Sequence, residues 1–337
     1  MKKKIISLLL CVSMIFAFTA CGNTEDAGKD MEKGKENEAA GETAESWRPA
    51  KNVDLIVPYG AGGGSDILAR IYTANMDMGK NIVVQNIEGG GTSVGLYQAY
   101  NSEPDGHTIT LALPETCIVN YLNASFQDPL HEEMVPICSV VYDASIICIS
   151  SKSDFTDMES IIAYSKDHPG ELQWASVGAT GNNRLGYEQL CLETGIDANF
   201  IPFDNASESR TAVLGGNADV LQGAISESLP YISSGDLIPL AVMREDRSTF
   251  LPDTPTLKEL GYEVMNGLHR AFFCPPKTPD HIVAAYEEAF HEAFLLDQTA
   301  EAVKEQGAEA EWLGRKELKE LIEENAVSIK ETFDSLN

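Results

Sequence analysis

The chain predicts an α/β protein whose sheets are mostly parallel and covered on both faces by helices. Short apolar runs alternate with segments whose apolar residues recur at helical spacing. Glycine-rich loops stand where such runs end and helical segments begin, which in open α/β sheets is the ligand-binding end. From Trp47 onward about 290 residues remain, enough for two ordinary cores.

Residues 1–20 read as a leader. Lys2, Lys3 and Lys4 precede an apolar run, Ile5 to Phe18, that is short for a permanent membrane span. Phe18-Thr19-Ala20-Cys21 resembles a bacterial lipoprotein signal, although leucine is commoner where Phe18 stands. Cleavage before Cys21 and a lipid on its sulfur are expected. Residues 21–46 hold almost nothing to bury and read as a lipidated, disordered tether. The folded part is therefore expected outside the cytoplasm, lipid-anchored to the outer face of the cytoplasmic membrane or periplasmic.

In the folded part, strands are expected at Val53–Val57, Ile82–Gln85, Thr108–Leu113, Ser145–Ile149, Leu172–Ala175, Val220–Leu221 and Ile238–Met243. Asp66–Met78 and Thr92–Tyr100 have helical spacing. Thr156 and Glu159 predict a capping box for a helix that stops at His168-Pro169-Gly170. Gly178–Gly181 leads into a helix through Leu192. Asn205 heads another, which ends at Gly215-Gly216. The chain closes with helices, one carrying Leu318, Ile322, Ile329, Phe333 and Leu336 as an apolar stripe.

The formal net charge is −28. Such a chain repels nucleic acid and anionic lipid, so no nucleic-acid partner is expected. A small anion held by backbone N–H groups remains compatible with it. Beyond Cys11 and Cys21, the cysteines are Cys117, Cys138, Cys148, Cys191 and Cys274. No C-x-x-C pair occurs, and apolar neighbours predict buried free thiols, although one disulfide is not excluded.

The glycine loops can be tested against known chemistry. Gly60-Ala-Gly-Gly-Gly-Ser-Asp lacks the lysine of a phosphate-binding P-loop. Gly60, Gly62 and Ser65 nearly match a dinucleotide fingerprint but fail at its last position, even with Glu88 downstream as an acidic partner. Gly91-Thr-Ser93-Val-Gly95 fits the G-x-S-x-G of serine hydrolases, with His269, His281 and His291 downstream. Its context is wrong, because Ile87–Gly91 separates it from the strand. Thr92 or Ser93 is better read as capping a helix. No metal-ligand spacing or paired-carboxylate site stands out, so no metal and no cofactor are expected. What survives is anion binding at helix N-termini, where unpaired N–H groups and the helix dipole meet a ligand. The N–H groups of Ala61–Ser65 would face it, with Asp66 capping the helix or bracing the loop.

The stretches VDLIVPYGAGGGSDILAR, NIVVQNIEGGGTSVG, PDGHTITLA, ELQWASVGATG, IPFDNASESRTAVLGGNADV and FCPPKTPDHIV closely resemble the solute-binding receptors of tripartite tricarboxylate transporters, the TctC and Bug proteins. The resemblance covers about residues 50 to 315. It implies a type II periplasmic-binding-protein fold, with two α/β domains joined by crossing strands, a hinge and a ligand cleft. Residues 47–145 plus 247–337 would form domain 1 and residues 146–246 domain 2. It implies no catalysis, a small organic carboxylate as ligand, and integral membrane subunits of a tripartite transporter as partners. By position it assigns Tyr59, Ala61, Gly62, Gly63, Ser65 and Asp66 from the first loop to the ligand. From the second loop it assigns Gly178, Ala179, Thr180, Gly181 and Asn182. After Asn182 the chain departs from the family's longer Ser/Gly-rich stretch, which bears on ligand choice. Ser207 can donate a hydroxyl or simply belong to a helix cap. Arg270, just before an apolar strand, can clamp a carboxylate or make an ion pair, and so can Arg184. The rival reading is a secreted serine hydrolase using Ser93.

Overall fold

The computed structural model describes residues 47–179 and 181–335, which belong to one compact unit. The leader, Cys21, the tether, Thr180 and Leu336 lie outside the described residues.

The chain runs β1 (Val53–Val57), α1 (Gly64–Asn75), β2 (Ile82–Asn86), a 3-10 turn at Gly90–Thr92, α2 (Ser93–Tyr100), β3 (Thr108–Ala112), α3 (Pro114–Leu122) and α4 (Leu130–Glu133). It continues through β4 (Val135–Ser150), α5 (Met158–Asp167), β5 (Gln173–Val177), α6 (Asn182–Thr194), β6 (Asn199–Phe203), α7 (Ala206–Leu214), β7 (Val220–Ala224), α8 (Ile225–Ser233) and β8 (Leu237–Val242). It ends with β9 (Gly267–Cys274), α9 (Asp280–Phe294), α10 (Asp297–Glu305), β10 (Glu309–Gly314) and α11 (Arg315–Ser335).

The α/β alternation is as expected, but the sheet is mixed, not mostly parallel. β1 pairs in parallel with β2 and β3, and β5 with β6 and β7. These are the pairs whose connections carry helices. β4 and β9 instead run antiparallel to each other and to their other neighbours, because the chain passes between the two halves on one and returns on the other. The halves are lobes of one ten-stranded path, β2-β1-β3-β9-β4-β7-β5-β6, with β8 and β10 paired to β4.

β4 is the largest departure from the sequence reading. Ser145–Ile149 is the tail of a 16-residue strand. Pro136 argues against a central strand, yet the register shifts there between Pro136 and Cys138, and a bulge accommodates the missing N–H. β4 changes partners midway. Up to Ala144 it pairs with β9, and from Ser145 with β7. The expected domain boundary at 145/146 falls one residue beyond this handover.

Smaller departures have local causes. α1 begins earlier, at Gly64, and stops at Asn75 because Met76 turns extended. The capping box uses Asp157 and Ser160, not Thr156 and Glu159. Asp157 accepts the Ser160 N–H at 2.7 Å, and the Ser160 hydroxyl receives the Asp157 N–H at 3.3 Å. Neither Thr92 nor Ser93 caps α2, since Thr92 is left-handed and makes no capping bond.

Each lobe has its own apolar cluster. In the first, Tyr72, Phe272 and Phe290 pack under α1 and α9, with Phe272 and Phe290 stacked at 4.2 Å. In the second, Trp174 packs among Ile147, Tyr187 and Leu190, its indole N–H on Gln222 Oε1 at 3.0 Å. Leu318 and Ile322 of the closing stripe bury against the outer side of the first lobe. The five cysteines are free thiols, all buried except the half-buried Cys191. Phe272 is fully buried. Phe272→Ala is expected to lower unfolding free energy by roughly 3–5 kcal/mol in urea denaturation.

Candidate functional site

The first glycine loop leaves the carboxyl end of β1. Gly63, at the N-cap of α1, has no side chain to satisfy the first turn. Asp66 sits in that turn, almost fully buried, and its carboxylate receives three donors. They are the Gly62 N–H at 2.8 Å, Arg70 Nε at 3.0 Å and Asn86 Nδ2 at 3.0 Å. Burial opposes its charge, but Arg70, Gly62 and Asn86 together hold the carboxyl below the usual range. Asp66 thus braces the loop. Gly62 can turn its N–H inward because its φ is +79°, a value that favours glycine.

This corrects the expectation that every N–H from Ala61 to Ser65 faces outward. Gly62 donates to Asp66, and Gly63 donates to the Gly60 carbonyl at 3.2 Å. The N–H groups of Ala61, Gly64 and Ser65 are left for a ligand. Tyr59 is half-buried behind them, and its carbonyl accepts from Asn86 at 3.0 Å. Burial pushes its hydroxyl pKa up, with Arg270 opposing.

The second loop leaves the carboxyl end of β5. Gly178 donates to the Phe203 carbonyl at 2.9 Å, and Gly181 caps α6 with no side-chain bond. Ala179 is exposed. Asn182 turns its side chain away from the loop. It donates to the Gly267 carbonyl at 2.9 Å, while its own carbonyl accepts from Asn266 at 3.0 Å. Asn182 therefore ties the second lobe to β9. Ser207 is exposed in the first turn of α7, whose cap is Asn205. No described contact ties Ser207 to either glycine loop.

Arg270 lies inside β9, not ahead of a strand. Its Nη1 donates to Asp143 Oδ2 on β4 at 3.0 Å. Its Nη2 lies against Gly64, where a Cβ would sit 3.4 Å from it. Its Nε is buried without a partner. Asp143 also takes the Ser226 hydroxyl at 2.6 Å and the Ser226 N–H at 3.3 Å, from the first turn of α8. The cluster thus joins the crossing strands, the first glycine loop and the second lobe. Glu227 follows Ser226. Crowding raises its pKa, through burial and then Asp143, while Arg270 and Arg210 oppose.

The sequence reading missed Asp143, Ser226 and Glu227. An acid between VVY and ASIICIS was the available signal for Asp143, since an apolar strand seldom tolerates an unpaired carboxylate. Arg184, the weaker arginine candidate, is held elsewhere. It pairs with Glu188 and lies over Phe200 at 4.6 Å.

The opposite face of the crossing strands carries Tyr142 and His269, their rings tilted against each other with centroids 4.5 Å apart. They border a cavity of about 340 Å³ with Glu115, Glu311, Arg244 and Asn325. His269 Nδ1 is 2.7 Å from Glu115 Oε1. Burial disfavours the imidazolium, but Glu115 and then Glu311 outweigh it and raise the pKa to about 9. A raised histidine pKa stabilises fully below the unfolded value near 6.5 and loses that stabilisation as pH rises through the folded one. Melting temperature is therefore expected to fall between about pH 7 and 10 more steeply in the wild type than in His269→Gln. His269 is thus committed to carboxylates, and His291 packs tilted against Trp312, the ring centroids 4.7 Å apart. Neither serves Ser93.

Comparison with known proteins bears on the family and the fold. The model of the family described as the tripartite tricarboxylate transporter family receptor matches residues 68–337. Protein BugT of Bordetella pertussis is 30% identical over 266 residues, covering 77% of this chain and 81% of its own. A solved TctC solute-binding protein from Polaromonas aligns with a TM-score of 0.75 at 24% identity, covering 85% of this chain and 99% of its own. MatC from Rhodopseudomonas palustris, solved with bound malate, aligns with a TM-score of 0.71 at 22% identity, covering 84% and 99%.

Proposed function

The chain belongs to the tripartite tricarboxylate transporter receptor family, whose members are solute-binding receptors and not enzymes, and from that premise we propose what it carries and where. It is an extracytoplasmic lipoprotein, anchored through Cys21, that captures a small organic carboxylate between its lobes. It then presents that ligand to the integral membrane subunits of a tripartite transporter. The observation that carries this reading is the convergence on β9. Gly64, at an uncapped helix N-terminus, abuts Arg270, while Asn182, at another, bonds Gly267. Unpaired N–H groups and a guanidinium together suit a carboxylate. The malate bound by MatC is consistent with that chemistry. Closure about the crossing strands would then seal the ligand from water.

Thermal melting against mono-, di- and tricarboxylates, aromatic acids, amino acids, nucleotides and phosphate tests the proposal. A ligand that binds only the folded state raises the melting temperature. A shift with a carboxylate class is expected, unchanged in Ser93→Ala. A shift with nucleotide alone would overturn the reading.

A further inference from the structure

Donors and acceptors are unevenly shared around the cleft. On the first lobe stand free donors, the N–H groups of Gly64 and Ser65 at the start of α1 and, beside them, Nη2 and Nε of Arg270. On the second lobe stands Glu227, in the first turn of α8. Solvent reaches it although the surrounding protein crowds it, and its carboxylate accepts no hydrogen bond or ion pair from any described residue. Asp143, between the two, is already saturated by Arg270 and by both donors of Ser226.

The charges follow the same division. Asp143 neutralises Arg270, so the remaining Arg270 donors and the helix end can take one carboxylate. A second carboxylate on the same molecule would meet Asp143 and Glu227. Arg210 also acts on Glu227, but it lies over the Tyr231 ring at 4.2 Å and spends Nη1 on the Glu227 carbonyl at 3.2 Å. It forms no ion pair with the Glu227 carboxylate. Arg270 and Arg210 only partly offset the like charge of Asp143 on that carboxylate, which has no ion-pair partner among the described residues, and an arriving cation would relieve the repulsion.

Resting on the receptor reading, we infer that the ligand is an amino carboxylate whose carboxylate sits on Gly64, Ser65 and Arg270 and whose ammonium sits on Glu227. Glu227 is then a specificity-determining residue. It selects a zwitterion by attraction and rejects dicarboxylates by like charge, the two halves of discrimination between near-isosteric ligands.

The test is titration calorimetry on the full chain with matched pairs that differ only in one end, such as 4-aminobutanoate against glutarate and 5-aminopentanoate against adipate, together with neutral α-amino acids. The wild type is expected to bind an amino carboxylate at least about tenfold tighter than its matched dicarboxylate, which is about 1.4 kcal/mol. Glu227→Gln should lose that preference, with circular dichroism unchanged. The wild-type preference needs no variant, so misfolding of Glu227→Gln would leave the test intact. A dicarboxylate binding the wild type as tightly as its amino partner overturns the inference and leaves the receptor reading standing. So does a preference unchanged in a folded Glu227→Gln. No binding of any carboxylate by folded wild type overturns both.

Discussion

Arg270→Gln is expected to abolish carboxylate binding and to cost roughly 3–5 kcal/mol of stability, the range for removing one partner of a buried ion pair. Arg270 is the only described cation bonded to Asp143, and the Asp143 side chain is 3% exposed. Without it, the Ser226 hydroxyl and N–H must carry a buried carboxylate alone. Urea denaturation and calorimetry would measure the two losses. The double variant Arg270→Gln/Asp143→Asn separates them. It removes the orphaned charge, so stability should largely return, while binding should not. Recovery of binding in the double variant would mean that Arg270 acts only as a structural partner of Asp143.

The second large effect is expected at Asp66. Asp66→Ala leaves the Gly62 N–H without its acceptor and frees Arg70 and Asn86. The loss of a buried acceptor costs about 1–3 kcal/mol. The loop would then be free to point its N–H groups in many directions, so the dissociation constant should rise at least about tenfold, a cost of about 1.4 kcal/mol. Arg70→Ala is the control. Its side chain is half-exposed, and an exposed pair contributes at most about 1 kcal/mol, so its effect should be small. Equal effects in the two variants would shift the bracing role from Asp66 to its ion pair.

These two residues differ in how legible they were. Asp66 is four residues from the N–H it holds. A carboxylate in the first turn of a helix, just after a run of glycines, has few other jobs, so sequence alone narrowed its role to capping the helix or bracing the loop, while the resemblance placed it on the ligand. Arg270 and Asp143 are 127 residues apart, and no local pattern links them. The sequence offered Arg270 as clamp or ion pair. The structure displays the ion pair and leaves two of its nitrogens free, so the alternatives were not exclusive. Glu227 had no signal at all, since an acid early in a helix is ordinary.

The fold was legible to the same degree. Strands flanked by helices declare themselves through alternation, and β1, β2, β3 and β7 stand close to where periodicity put them. β4 did not. Asp143 and Pro136 interrupt its apolar run, and only long-range pairing shows that one strand continues through both. Family resemblance supplied what periodicity could not, the idea of strands crossing between lobes.

That long strand also limits how such receptors can be recombined. β4 gives its first half to one lobe and its second half to the other, changing neighbours between Ala144 and Ser145. A chain cut there would leave two fragments, each with a raw sheet edge open to aggregation. The lobes are therefore not interchangeable modules. A chimera that borrows a new binding face must keep β4 with β9 from one parent, and exchange only the loops and helices that hang from them.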